Sequence, residues 1–597
     1  MNWTIKVELI TSIILVLALI SGPLLAKDHY KNFKLAIYCP ARDVQRMADL
    51  NWLEKNFNLL DKYLDIDKVY LETYRGQNKV EKETILKVKK FFKDRGIQTS
   101  GGITYVWNDG RQFESFCITN PEHRRIIQEI AEYTAGMFDE IILDDFWFLN
   151  TKTESDIKAK GAKSWTRFRL DQMEEASQKL IIEPAKKINP KVKIIIKYPN
   201  WYDHFQYCGY NLEKQPALFD LIYTGTETRD PVYTHQHLQA YESYAIMRYF
   251  ENVAPGRNGG GWVDPFSRRT LDRYAEQINL TMFAKARELT LFCFGILLEE
   301  IQQDGGSFKP LSAVAPVAGY SLEKLDCFLG QLGRPVGIKS YKPYDSNGED
   351  YLPNFMGMLG IPMDITPEFP ANEDLVFLTE QANFDQDIIE KIKKQLLQGK
   401  EIVITSGLYR VLQGKGIEDI VELEYTDKKA RVHEFSDWRN VYIAENEIMI
   451  PQIRYATNDS WELITALDNG VGYPIFHQAS YAKGKLYILT IPDNFGELYE
   501  YPREVLTAIK KVMLKNYFVY TDSPSNVSLF VYDNNTFIIH SFKEHSTDVN
   551  IILNKKFKKI TDILSNQEIS GHIENDKLVC KINILPHSYR VFRADEK

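Results

Sequence analysis

Cysteine is scarce in this chain of 597 residues. There are six, Cys39, Cys117, Cys208, Cys293, Cys327 and Cys580, far apart and in no C-x-x-C or zinc-ligand spacing. That excludes a disulfide-built scaffold and a structural zinc site; buried thiols are the expected state, and the spacing leaves open whether one pair is bridged. Positive charge is also in deficit, with 73 lysines and arginines against 81 acidic residues and a net charge of −8. Neither a nucleic-acid backbone nor an anionic membrane surface is therefore the expected partner. No internal repeat or low-complexity run occurs, and neither a phosphate loop nor an H-E-x-x-H string is present. No cofactor and no metal are expected.

Long apolar runs are confined to the first residues. Lys6 precedes a run from Leu9 to Ile20 broken only by Thr11 and Ser12, and Ser21-Gly22-Pro23 and Ala26 then lead into Lys27-Asp28. This is the layout of a secretory signal cleaved after Ala26, and the run is short for a membrane span. Residues 1–26 are read as a signal peptide and the mature chain as secreted or periplasmic. Leu24, large for the −3 position, keeps an uncleaved anchor as the alternative.

What the chain has in excess is aromatic side chains, 13% of the sequence, against ordinary hydrophobic and charged fractions of 44% and 26%. The length allows three or four domains. Within residues 27–330, eight strand-like runs alternate with helix-like stretches such as 121–136 and 165–187. The runs are 34–39, 68–71, 98–106, 138–143, 192–196, 221–223, 260–263 and 289–294. This order predicts a (β/α)₈ barrel. The seventh run is the weakest, because Gly259 to Gly261 suit a loop or a close backbone approach as well as a strand.

Residues 331–516 repeat the alternation as an open doubly wound α/β domain, with strands at 336–341, 375–378, 401–405 and 485–491, helices at 351–359, 385–397 and 503–514, and a strand-rich insertion over 421–473. Residues 517–597 turn to short alternating strands, which predict a small antiparallel β-sandwich.

The stretch Phe138-Asp139-Glu140-Ile141-Ile142-Leu143-Asp144-Asp145-Phe146-Trp147-Phe148 ends a doubly buried strand in two carboxylates and three aromatics. Barrel strands converge at their C-termini. The other ends carry Glu72 with Tyr74 and Arg75, Tyr105 with Trp107 and Asp109, Lys197 with Trp201, Glu227 with Arg229 and Asp230, and Trp262 with Asp264. Carboxylates from different strands beside tryptophans suit hydrolysis of a glycosidic bond, which needs a nucleophile or base, an acid for the leaving oxygen and flat platforms for a sugar.

Asp144 or Asp145 is the expected nucleophile and Glu227 the expected general acid/base. Neighbouring like charge would raise one pKa, while Lys197 or Arg229 would keep another carboxylate ionised. Glu72, Tyr105, Trp107, Trp147, Lys197, Trp201, Arg229, Asp230, Trp262 and Asp264 are expected to bind the carbohydrate. Strand alternation lets only one of Asp144 and Asp145 face the barrel axis, and the unbroken apolar run before them hides which.

Plainer readings stand beside these. The two aspartates could cap a turn, Glu227 could pair with Arg229, and Lys197 could be an ion-pair partner rather than a Schiff-base amine. His204, His235 and His237 lack a zinc spacing, and Trp165 with Phe168 fits a helix core. A glycan-binding barrel without the acid, and a barrel hydrolase of another bond such as a deacetylase, are the rival functions.

The order of barrel, α/β domain and small β-domain resembles that of family 42 β-galactosidases, whose second domain resembles a glutamine-amidotransferase fold. Those enzymes carry Asn-Glu after strand four and Glu after strand seven, where this chain has Asp144-Asp145 and Asp264. An amidotransferase would need a cysteine after strand 401–405, where Gly407 stands. The resemblance thus implies an assembly surface for the second domain, with a homo-oligomer through it. The strand-four motif is similar to the D-G-I-H-x-D-D-Y-F-Y-P string of bacterial glycosidase-like barrels. It departs from family 18 chitinases, whose glutamate position is Phe146 here. The α-galactosidase clan places an aspartate on strand four and a carboxylate on strand six, as Asp144 or Asp145 and Glu227 would be.

Overall fold

The computed structural model describes residues 29–110, 113–229, 238–266, 270–298, 313–455 and 457–596. The sequence-predicted signal segment, Asp230, His235 and His237 lie outside them. Among the described residues, no helix is long and apolar enough to cross a membrane.

Eight parallel strands close into a barrel: β1 (Lys34–Cys39), β2 (Lys68–Arg75), β3 (Gln98–Thr104), β4 (Glu140–Leu143), β5 (Lys193–Tyr198), β6 (Leu221–Gly225), β7 (Asn258–Val263) and β8 (Glu288–Phe292). β1 pairs with both β2 and β8, which removes every sheet edge. The glycine-rich β7 is a true strand, with a register irregularity against β6 between Asn258 and Gly261. Its glycines are required: a Cβ at Gly260 would collide with the Glu288 carbonyl and the Tyr223 hydroxyl.

Alternation sorts the side chains. Ile141 and Leu143 join the core under the helices, whereas Ile142, Ile195, Tyr38, Tyr70, Tyr223 and Trp262 fill the barrel interior. The bottom is sealed by an ionic plug, in which Lys68 Nζ lies 2.9 Å from Glu140 and 2.7 Å from Glu288. The expected helix at 121–136 is present as Pro121–Ala135. Its first turn is closed by the Asn120 side chain accepting from Glu122 N, with Pro121 in the position that lacks a helical donor role. The stretch expected as one helix from Trp165 contains a π segment, Ser177–Ile182.

The second domain is one nine-stranded sheet. Strands β9 (Ile338–Tyr341), β10 (Met363–Thr366), β11 (Leu375–Leu378), β12 (Glu401–Thr405) and β17 (Gly484–Leu489) run parallel in the order β10-β9-β11-β12-β17. The stretch read as an insertion continues the sheet as antiparallel β13 (Leu423–Ser436), β14 (Val441–Tyr455), β15 (Ser460–Asp468) and β16 (Val471–Tyr481). β10 escaped the sequence reading because four residues, Met-Asp-Ile-Thr, are too few to show a period.

Two antiparallel sheets make the C-terminal sandwich, and one of them takes its edge strand, Pro335–Val336, from the start of the stretch read as the second domain, so the run expected as one strand over 336–341 is split between two sheets and the second domain's own sheet begins at Ile338. The sandwich docks on the barrel. Phe530 stacks on Tyr241 at 5.4 Å, Tyr532 donates to the Phe283 carbonyl at 2.9 Å, and His587 pairs with Glu276 at 2.9 Å.

Candidate active site

A cavity of about 560 Å³ opens at the C-terminal ends of the barrel strands. Lys197, on the inward side of β5, stands at its centre. Its Nζ lies 2.7 Å from Asp145 Oδ2, 2.6 Å from Glu227 Oε1 and 3.3 Å from Asp144 Oδ1, and 4.3 Å above the Trp262 ring centroid. One buried ammonium thus holds three carboxylates from two other strand ends.

The two aspartates differ. Two residues past the inward Ile142, Asp144 falls on the barrel axis, with a side chain only 3% exposed. It accepts from Arg75 Nη2 at 2.8 Å, from Thr104 at 3.2 Å and from the amide of Asp145 at 2.9 Å. The ladder runs on through Asp144, whose N–H is donated to the Ile103 carbonyl at 2.9 Å, and Asp145 lies beyond it in a turn where alternation no longer binds. Its carboxylate swings to the cavity with 13% exposure, and its carbonyl is held by the Tyr210 hydroxyl. Both aspartates therefore reach the barrel mouth, Asp144 as a braced interior group and Asp145 as an accessible one.

Electrostatics separate them further. Burial alone would raise Asp144, but Lys197 and Arg75 outweigh it and hold the carboxyl below its ordinary value. For Asp145, burial together with Asp144 and Glu227 outweighs Lys197, and the pKa is pushed up to about 7. Glu227 is raised by burial and by Asp264 against the pull of Lys197. Burial opposes the charge of Lys197, and its three carboxylate neighbours more than restore it, so the amine is firmly protonated rather than nucleophilic.

Of the expected binding residues, Lys197, Trp201, Arg229, Trp262 and Asp264 line the cavity, Arg229 meeting Asp264 at 3.1 Å. Four others do not, and each has a physical reason. Glu72 is fully buried and accepts from Tyr38 at 2.8 Å, from Ala41 N at 2.6 Å and from Arg75 Nε, so it braces Arg75 rather than meeting a ligand. Tyr105 points into the helix layer, donating to the Ile127 carbonyl at 3.2 Å. Trp107 lies on His123 and Phe116. Trp147 is buried, its indole N–H donated at 2.9 Å to Ser177 Oγ in the π segment.

The cavity also takes Arg75, Phe113, Phe146, Phe148, Asn150, Asn200, Phe266 and Phe292, none of which the sequence reading assigned to binding. For two of them the signal was present: Phe146 and Phe148 belong to the aromatic run after Asp145, and the turn that follows β4 leaves them on the cavity while Trp147 enters the core. Phe266 and Phe292 sit at the ends of β7 and β8, where phenylalanine reads as core.

Among the described residues, no group of three or more His, Cys, Asp or Glu is placed to hold a metal ion. His204 is engaged with Asp203 at 2.7 Å. In the second domain the Gly407 position, where an amidotransferase needs its cysteine, is filled from outside: a Cβ there would collide with the Glu349 carboxylate.

Comparison with known proteins places the geometry in context. Residues 23–330 match the family model described as "Probable glycosyl hydrolase, catalytic domain", and 518–594 match "Probable glycosyl hydrolase, C-terminal domain". Residues 333–494 match "Uncharacterized protein SSO3021, second domain". The uncharacterized protein SSO3021 of Saccharolobus solfataricus is 25% identical over 512 residues, covering 77% of this chain and 82% of that protein. A catalytic mutant of Gan42B, a family 42 β-galactosidase from G. stearothermophilus, is similar in fold, with a TM-score of 0.62 at 12% identity over 95% of this chain and 98% of that one. An exo-β-1,4-mannosidase from Opitutaceae bacterium strain TAV5 gives 0.50 at 12% identity, over 81% and 94%.

Proposed function

The chain belongs to the probable glycosyl hydrolase family and is a glycoside hydrolase, and we propose that it releases a terminal β-linked sugar with retention of configuration, Asp145 acting as acid/base and Glu227 as nucleophile, the reverse of the roles expected from the sequence because the pKa of Asp145 is pushed up to about 7. The observation that carries this reading is the shared ammonium. Asp145 Oδ2 and Glu227 Oε1 touch Lys197 at 2.7 and 2.6 Å, so these oxygens are at most about 5.3 Å apart, closer than the roughly 6.5–9.5 Å that an inverting pair needs to admit a water. Asp144 is too enclosed and too firmly ionised to share a proton.

Asp145, with its pKa near 7, carries the proton to the leaving oxygen while the Glu227 carboxylate forms a bond to the anomeric carbon. The glycosyl–Glu227 ester is then opened by water, whose proton returns to Asp145. Lys197 spreads positive charge over the carboxylates, and Trp201, Phe146 and Phe148 offer apolar faces to the sugar. The volume suits a terminal residue and its neighbour rather than a long chain. The solved relatives named as β-galactosidase and β-mannosidase put β-glycosides first in a trial.

The test is a panel of 4-nitrophenyl glycosides followed by azide rescue of the alanine variants. Glu227→Ala should give a glycosyl azide of inverted configuration, and Asp145→Ala one of retained configuration. Native activity in both variants would sink the assignment.

Two further readings complete the proposal. Export is supported by the apolar run before Lys27, and the N-terminus of protein recovered from the medium or periplasm tests it. Self-assembly through the second domain is supported by the exposed, mutually stacked Trp438 and Trp461, and light scattering tests it.

A further inference from the structure

The second domain fills its own ligand crevice. In open α/β sheets ligands sit beyond the C-terminal ends of the parallel strands. Here Glu349, at φ +47°, drives its carboxylate into that place, accepting from Glu380 N at 2.8 Å beyond β11 and from the Thr405 hydroxyl at the end of β12. Glycine at 407 makes the room. Anchored there, the loop 345–351 is turned outward, with left-handed backbone at Asp345, Glu349 and Tyr351, and reaches across to the barrel.

Two of its hydrogen bonds fall on one barrel loop, the segment after β5. Asn347 donates to the Tyr207 hydroxyl, and the Tyr351 hydroxyl donates to Asp203 Oδ1 at 2.5 Å. The same Asp203 oxygen meets His204 Nδ1 at 2.7 Å. The His204 ring in turn stacks on Trp201, 5.8 Å between centroids and 5° between planes. Trp201 is a wall of the catalytic cavity, its edge set against Phe148. A continuous line of contacts therefore runs from the second domain to a cavity aromatic: Tyr351, Asp203, His204, Trp201.

We propose that Tyr351 is a positioning residue for sugar binding, fixing the Trp201 platform through Asp203 and His204. The second domain would then act as part of the specificity apparatus of the barrel. The inference rests on the cavity being the sugar site. A stacking aromatic helps only if its plane is held before the ligand arrives, because ordering it on binding offsets the gain. The Tyr351 ring also packs on Tyr202 at 4.7 Å, so removing the hydroxyl alone leaves the domain contact in place.

The test uses Tyr351→Phe, with Asp203→Asn as the second variant, in the full chain carrying 5-fluorotryptophan. The Trp201 ¹⁹F signal is assigned by Trp201→Phe. Both variants should shift or broaden the Trp201 signal and leave that of Trp262 in place. On the best-cleaved 4-nitrophenyl glycoside they should raise KM about tenfold while kcat stays within about twofold. A Trp201 signal unmoved in both variants, or kcat and KM changing only with thermal stability, overturns the proposal. Its failure is separable from that of the catalytic reading: an inactive Glu227→Ala with an unmoved Trp201 signal removes the positioning role alone, and a fully active Glu227→Ala removes the catalytic role whatever the fluorine spectrum shows.

Discussion

Lys197 and Glu227 meet at 2.6 Å with both side chains buried, one ammonium on β5 holding a carboxylate that follows β6. A buried pair of this kind is costly to break, because the remaining charge has no water to turn to. Here the same ammonium also serves Asp145 and Asp144.

Lys197→Met keeps the stem of the side chain and removes the charge. Catalysis should fall about 10³-fold, and the fold should lose about 3–5 kcal/mol, since three carboxylates are left facing one another. Activity assays and urea unfolding at pH 7 check both; native activity would show that the cavity does not use this charge.

The raised Asp145 fixes the direction of pH dependence. Its folded pKa of about 7 lies above the ordinary carboxyl value, so activity that needs its proton should decline as pH rises through about 7. Between about pH 4 and 7 the folded chain binds the proton more tightly than the unfolded chain does, and the contribution of this group to stability falls as pH rises across that window. Asp145→Asn should therefore be more stable than the native chain at pH 8, on the order of 2 kcal/mol, with the difference gone at pH 4. Unfolding curves at the two pH values decide the sign.

Trp147 and Phe148 should separate cleanly. Trp147→Phe leaves Ser177 without its indole partner and should cost about 1–3 kcal/mol in stability with KM unchanged. Phe148→Ala should raise KM, because that ring faces the cavity. Equal KM effects in both would contradict the inward and outward sorting of this stretch.

Gly407→Ala places a methyl group against the Glu349 carboxylate and should destabilise the second domain by about 1–3 kcal/mol. Pairing it with Glu349→Ala should recover part of the loss, a coupling that a double-mutant cycle on thermal unfolding would read.

The barrel was legible because most of its strands are compact apolar runs that stop at polar residues, β3 and the glycine-rich β7 being the exceptions, and runs buried on both faces are what a closed parallel sheet requires. The same property hid the orientation of the aspartates: Ile141, Ile142 and Leu143 are all apolar, so no alternation marks the axis side. Trp147 leaves the cavity to Phe146 and Phe148 by bonding to Ser177, and that bond depends on a π turn that no spacing in 165–187 announces. Glu72 was misread for a related reason. A carboxylate at a strand end looks the same in sequence whether it meets a ligand or, as here, an arginine three residues on. Arg75, which does reach the cavity, was visible only as its neighbour.

The strand Pro335–Val336 pairs with Val531 and Tyr532 across the whole length of the second domain. The sandwich is therefore begun before that domain is made and finished after it, separated by roughly two hundred residues of chain. At ribosomal rates its first strand waits about ten seconds or more for its partner. During synthesis the middle domain must fold as a self-contained unit between two halves of another, and a chain truncated near residue 516 would present Pro335–Val336 as an unpaired strand.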